Sequence, residues 1–420
     1  MYTRRAFLKG AGLAMFGISI GGVPAFAARA AAAFKRFELY KKNKILVCIF
    51  QRGAMDGLMA VTPFTDKYLK AARPTLFMEP GLGKPLVDLD GTFGLHPGLK
   101  SFAPLFSNKQ LAIVHGMGSP NTTRSHFDAQ DYMESGTPFS KSTNSGWLNR
   151  AVGLLGHDAS PFRAVSLTPS LPRSFYGKMP ALAISNLQDF SVQVKANPKA
   201  TGAISKSFED LYDETTNQLL KDTGKESFEA IKMLQKTDVK NYKPANNANY
   251  PNSSLGKSLK QIAQLIKMNV GLEVAFAEHG GWDTHFNQGT DTGIFARNAT
   301  DLSESITAFW TDLGVLQDEV VIMTMTEFGR TVKQNGTGGT DHGRASCNFI
   351  IGNNINGGKV HGIIKPLAIE NLEDGRDLAV TTDFRAVFAE VAYKHLQLDS
   401  SNKNTLFPDW QGNYLGIMGT

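Results

Sequence analysis

Six acidic or imidazole side chains stand at the ends of apolar runs in this chain: Asp56, Asp283, His285, Glu327, Asp341 and His342. Asp283 and His285 are one residue apart, and alternate residues of an extended segment point the same way, so both can face one ion. Gly280 and Gly281 precede them, and His279 and Asn287 extend the polar loop. Asp56 ends Gln51-Arg52-Gly53-Ala54-Met55-Asp56, where Gly53 and Gly57 allow a sharp turn. Glu327 closes an apolar run, where an unpaired carboxylate would be costly, and Arg330 is the partner expected for it. Asp341 and His342 follow a Gly-rich stretch, 334–340, which lacks the Gly-Lys-Ser/Thr of a phosphate-binding P-loop. Four carboxylates gathered on one edge repel one another unless a cation lies between them. An oxygen-rich set with a minority of histidines suits Mn, Mg or Ca, or a mixed Zn site. A divalent metal there polarises a substrate and lowers the pKa of a hydroxyl or water, which is the chemistry of metal-assisted hydrolysis.

A nucleophile and an anion-binding surface are needed beside such a site. Ser125 with Asp128 three residues on has the spacing of a helix capping box, which makes Ser125 either a cap or a presented hydroxyl. A helix start also offers free amides and positive dipole to a phosphoryl or sulfuryl group. Arg124, His126, Asn287 and Arg330 are the candidates to orient an anionic substrate.

Short β-branched runs at 45–51, 111–115, 164–167, 272–277, 320–326 and 347–351 are expected strands. Amphipathic stretches at 99–106, 147–155, 255–268, 301–313 and 383–396 are expected helices between them. Apolar strands alternating with helices predict an α/β fold, a mostly parallel central sheet sandwiched by helices. Open sheets of that kind place their sites at the strand ends. The polar, Lys/Asn-rich stretch at about 197–254 is expected to be a helical insertion, and it closes in a turn-rich segment with Pro244 and Pro251. Cys48 and Cys347 lie inside apolar runs, either as a disulfide or as two buried thiols in neighbouring strands. No zinc-type cysteine spacing is present.

Residues 1–30 have a charged start, a mildly apolar Gly-rich run and small residues spaced for cleavage after Ala27 or Ala30. Arg4-Arg5 followed by Phe7-Leu8-Lys9 resembles the twin-arginine export consensus. The expected partner during export is the twin-arginine translocase, which carries folded cargo, and the destination is periplasmic or extracellular. Cleavage after Ala27 would remove Arg4, Arg5 and Lys9, taking the formal net charge from +6 to +3. That is ordinary for a soluble protein and argues against a nucleic-acid binder. No stretch reaches the roughly 18 to 20 apolar residues of a membrane span.

Five ordered motifs carry a resemblance to the DUF1501 family of exported bacterial proteins. They are the Arg52–Gly57 segment, the run from Arg124 through Asp131, Gly281-Trp282-Asp283-Thr284-His285, Glu327-Phe328-Gly329-Arg330-Thr331, and Gly339-Thr340-Asp341-His342-Gly343. With Thr382-Asp383-Phe384-Arg385 they extend over nearly all of one domain, 45–420. The family is similar to the alkaline phosphatase and sulfatase superfamily, which implies an α/β sandwich with metals at the strand ends. That likeness implies that Asp56 is the first-strand metal Asp, that Asp283 and His285 form a metal pair, and that Ser125 is the nucleophile. The chain departs from the pattern after the late strand: Glu327-Phe328-Gly329 stands where Asp-His-Gly is usual, and Phe328 cannot ligate a metal. The reading is an exported metal-dependent hydrolase of phosphate or sulfate esters on a small molecule or polymer. Its alternative is a non-catalytic periplasmic or cell-surface binding or structural protein on the same fold.

Overall fold

A computed structural model describes residues 44–81, 86–157, 160–189, 230 and 241–419. The expected leader and nearly all of the polar stretch from 197 to 240 lie outside the described residues. The strands are β1 (Ile45–Gln51), β2 (Val61–Pro63), β3 (Val87–Asp88), β4 (Phe93–Leu95), β5 (Leu111–Gly118), β6 (Ala164–Ser166), β7 (Leu182–Ala183), β8 (Val274–His279), β9 (Val320–Met325), β10 (Ser346–Ile351), β11 (Lys359–His361) and β12 (Thr382–Asp383). The main sheet has the order β11-β5-β10-β9-β1-β8-β6-β7, with β12 also on β5, and β2, β4 and β3 form a small separate sheet. Every pairing in the main sheet is parallel except those of β10, which runs antiparallel to both β5 and β9.

The central strands are mostly apolar because both sheet faces are covered. In β1, Ile45, Val47 and Ile49 enter one core, with Leu255, Leu259 and Ile262 of helix Ser254–Lys267 and Phe295, Leu302 and Phe309 of helix Ile294–Leu313. Leu46, Cys48 and Phe50 enter the other, with Trp147, Leu148 and Ala151 of helix Trp147–Leu154 and Val387, Phe388 and Val391 of helix Phe384–His395. This two-residue alternation is the pleat of a strand buried on both sides. Cys48 and Cys347 are both buried and free, and β9 separates their strands, so they are not neighbours. Among the described residues no helix is long and apolar enough to cross a membrane.

The direction of the strands decides where the loops emerge. β1, β5, β8 and β9 all end at one edge of the sheet, and reversed β10 begins there. The segments after 51, 118, 279 and 325, and the one before 346, therefore meet on one side.

Candidate metal centre

Four side chains from three of these segments converge. His126 opens helix His126–Ser135, reached from β5; Asp283 and His285 follow β8; His342 lies on the connection from β9 to β10. His342 Nε2 is 3.0 Å from His126 Nε2, 2.9 Å from His285 Nε2 and 3.3 Å from Asp283 Oδ1. His285 Nε2 is also 3.0 Å from Asp283 Oδ1, and His126 Nε2 is 3.5 Å from Asp283 Oδ2. His126, Asp283 and His342 offer ligand atoms that all lie within 4.8 Å of one another, and His285 joins at the Asp283 and His342 side.

The outer nitrogen of each ring identifies the tautomer. His126 Nδ1 faces Glu327 Oε1 at 2.8 Å, His285 Nδ1 faces Asp341 Oδ1 at 2.9 Å, and His342 Nδ1 faces the Arg124 carbonyl at 2.9 Å. These oxygens only accept, so each Nδ1 carries the hydrogen and donates it. In the neutral rings all three Nε2 lone pairs then point into one small space beside a carboxylate. Lone pairs at that distance repel unless a proton or a cation sits among them.

Charge at the cluster is already biased. The hydrogen bond to the Glu327 carboxylate holds His126 above the usual imidazole range, against its partial burial. Burial, reinforced by the neighbouring His126, pushes His342 below that range. Burial opposes ionisation of Asp283, yet hydrogen bonding and charge from Arg330, with His285 and His126, outweigh it and keep its pKa low. Glu327 is likewise held low against complete burial, by donors from His126, Gln130 and Gly53. The hydrogen bond from His285 keeps Asp341 low.

The other residues singled out in the sequence fall outside this inner group. Glu327 and Asp341 touch the far sides of His126 and His285 rather than the shared space. Asp56 is buried in a different place: it caps the turn Gly57–Ala60 and pairs with Arg73 through two bonds, Nη1 to Oδ2 at 2.8 Å and Nη2 to Oδ1 at 3.1 Å. Gln288 Nε2 donates to its Oδ2 at 2.7 Å. Both oxygens are thus committed to the chain's own donors. Arg330 is not the partner of Glu327; it is fully buried, donates to Asp283 Oδ1 at 2.7 Å and holds Thr340 through that residue's carbonyl and hydroxyl. Arg124 spends its guanidinium on Asp374 and Asp377. Asn287 is exposed in a left-handed turn, φ 44°, tied by its backbone N–H to Thr337. Ser125 occupies the N-cap position, but its side chain makes no capping bond and the residue is exposed, so the capping box does not form.

Two supports were not singled out in the sequence. Gln130 donates to Glu327 Oε1 at 2.8 Å, and Arg52 Nη1 reaches Gln130 and Glu134 while its other nitrogens hold Glu278. The four-residue spacing of His126 and Gln130 puts them on one helix face, a signal present in the sequence. Gly53 explains itself only in the fold. Its φ is +112°, and a Cβ there would stand 2.6 Å from the Asp283 backbone nitrogen. The loop carrying Asp283 packs directly on that glycine, and any side chain would push it away.

A family model described as "Protein of unknown function (DUF1501)" matches residues 106–406. No curated protein matches the sequence. Solved structures similar to this chain include a sulfatase, PsFucS1, from Pseudoalteromonas sp., at 12% identity and TM-score 0.37, covering 95% of this chain and 78% of that one. The C-terminal periplasmic domain of EcEptC from Escherichia coli, in complex with Zn, is similar at 9% identity and TM-score 0.35, over 74% of this chain and 73% of that one. Alkaline phosphatase from the Antarctic bacterium TAB5 is similar at 11% identity and TM-score 0.30, over 74% and 92%.

Proposed function

This chain belongs to the DUF1501 family, whose function is unknown, and we propose that it is a metal-dependent hydrolase of phosphate or sulfate esters, exported through the twin-arginine translocase. The observation that carries the reading is the convergence of His126, His285 and His342 Nε2 on Asp283. Three aimed imidazole lone pairs beside one carboxylate fit zinc, or manganese, better than calcium or magnesium, which favour all-oxygen shells. His126, Asp283 and His342 would hold the ion, with His285 beside them. When bound, the divalent cation supplies Lewis acidity and lowers the pKa of a hydroxyl or water.

The chain's own residues do the positioning. Glu327, Asp341 and the Arg124 carbonyl take the three Nδ1–H groups and turn each ring so that Nε2 faces inward, the outer-shell arrangement usual for metal-bound histidines. Arg330 keeps Asp283 ionised and fixed. Ser125, exposed, next in sequence to His126 and without a capping bond, would attack the phosphorus or sulfur and displace the alcohol, and water would then cleave the serine ester to release phosphate or sulfate. One ion is proposed rather than two, because Asp56 is committed to Arg73 and Gln288. The proposed place of work is the periplasm or beyond.

Metal analysis of the purified mature protein should find about one equivalent of zinc or manganese. A panel of aryl phosphate and sulfate esters should show turnover that Ser125→Ala and Asp283→Ala abolish. Bound metal with no turnover on any ester would favour the non-catalytic binding protein. Turnover indifferent to both substitutions would remove the site from the reaction.

A further inference from the structure

Two of the converging histidines are each followed by a phenylalanine standing in solvent. Phe127, after His126, is 90% exposed, and Phe286, after His285, is 66% exposed. Helix His126–Ser135 buries Ala129, Tyr132 and Met133, so Phe127 lies off its packed face. The Phe286 ring centroid is 6.4 Å from that of His285. Single exposed apolar side chains are ordinary. What distinguishes this pair is that each follows directly in sequence on a histidine whose Nε2 touches His342 Nε2.

Cationic groups nearby are engaged by the chain's own acceptors, including half-exposed Arg376, which pairs with Asp377 and donates to the His342 carbonyl. Arg330 is buried against Asp283 and Thr340, and Arg124 is held by Asp374 and Asp377. Phe127 and Phe286 are exposed aromatic surface next in sequence to two of the converging histidines, while the charge of an anionic ester would fall to the centre. We propose that Phe127 and Phe286 form the subsite for the alcohol portion of the substrate, so that the site takes esters of aryl or similarly apolar alcohols in preference to those of small polar ones. This rests on the hydrolase reading and names its substrate class.

Phenylphosphonate and methylphosphonate carry the same anionic head and differ in the apolar group alone, so they serve as probes of binding without turnover. Zinc stoichiometry of the loaded protein is read first, then each probe is titrated calorimetrically. Covering on the order of 60 Å² of ring corresponds to roughly tenfold tighter binding. Phenylphosphonate should bind about tenfold more tightly than methylphosphonate. The ratio should drop below about threefold in a Phe127→Ser, Phe286→Ser double variant whose zinc content and melting midpoint are unchanged, and each single variant should give part of the loss. Equal affinity for the two probes, failure of both to bind, or a preference that survives the double substitution would overturn the subsite. A protein that takes up no zinc at the first step defeats the hydrolase reading instead, so the two failures are told apart.

Discussion

Glu327→Gln isolates the part of the centre that acts through charge. Three donors fall on one oxygen of this buried carboxylate: His126 Nδ1 and Gln130 Nε2, both at 2.8 Å, and the Gly53 N–H at 2.9 Å. A glutamine with its carbonyl oxygen in that place keeps all three. Its amide then faces the Thr326 hydroxyl, 3.2 Å from the second oxygen, and that hydroxyl can turn its hydrogen to the Gln51 carbonyl at 3.0 Å. Shape and the three bonds to the first oxygen survive, and the negative charge is lost. A charge-assisted bond is about twice as strong as its neutral counterpart. Replacing an outer partner of a metal-bound histidine costs about 10- to 100-fold in metal affinity. That equals about 1.4 to 2.7 kcal/mol at 1.36 kcal/mol per factor of ten.

Zinc affinity is measured by competition with a chromogenic chelator, and the His126 titration by NMR on zinc-free protein. In the zinc-free protein His126 has a raised folded pKa, so its contribution is complete below its unfolded value and lost as pH rises through the folded one. Glu327 has a depressed folded pKa, so its contribution is present above its unfolded value and lost as pH falls through the folded one. Both hold between about pH 4.3 and 6.5, where the substitution should destabilise the zinc-free protein most. Zinc affinity within about twofold of the parent, together with an unmoved His126 titration, would refute the reasoning.

Asp56→Asn should cost about 3 to 5 kcal/mol, since it strips a buried Arg73 of its counter-ion, while zinc stoichiometry in the folded fraction stays the same; loss of zinc from a folded variant would return Asp56 to the site. Asp283→Ala should lose zinc and also about 1 to 3 kcal/mol in a urea melt, because the buried Arg330 loses a carboxylate partner; an unchanged midpoint would mean that the bond is not formed. Asp312 is buried and accepts from Tyr242, Tyr250, Lys267 and the Ala245 N–H, which keep its pKa low despite desolvation. Its stabilisation is present above its unfolded pKa of about 3.9 and lost as pH falls through the folded value. Asp312→Asn should therefore flatten the acid limb of the stability profile and lower stability at neutral pH; an acid limb identical to the parent's would contradict this.

The six main strands and the helices between them were legible in the sequence because fully buried strands are mostly apolar and the covering helices are amphipathic. Limits moved by only a few residues, except that the helix expected over 301–313 begins at Ile294, and the one expected over 99–106 is a 3-10 helix, Pro97–Phe102, followed by a five-residue α-helix, Ala103–Ser107. The chemistry-bearing segments were legible too, as polar groups beside glycine at the ends of those runs. Which of their residues face one another was not. Asp56 and Glu327 look alike as strand-end carboxylates, and Arg73, seventeen residues beyond Asp56, is what takes Asp56 away. His126 passed for a substrate contact because nothing local shows that its ring meets His342.

Composition and spacing, then, determined that this chain makes a two-faced sheet with polar loops at its strand ends. The tertiary structure alone decided the direction of β10. Asp341 and His342 precede that strand, and in an all-parallel sheet they would emerge on the side opposite Asp283. Antiparallel pairing with β5 and β9 brings them to the shared edge. Strand direction is set by long-range pairing and by the path of the 326–345 connection, and an apolar run reads the same in either direction.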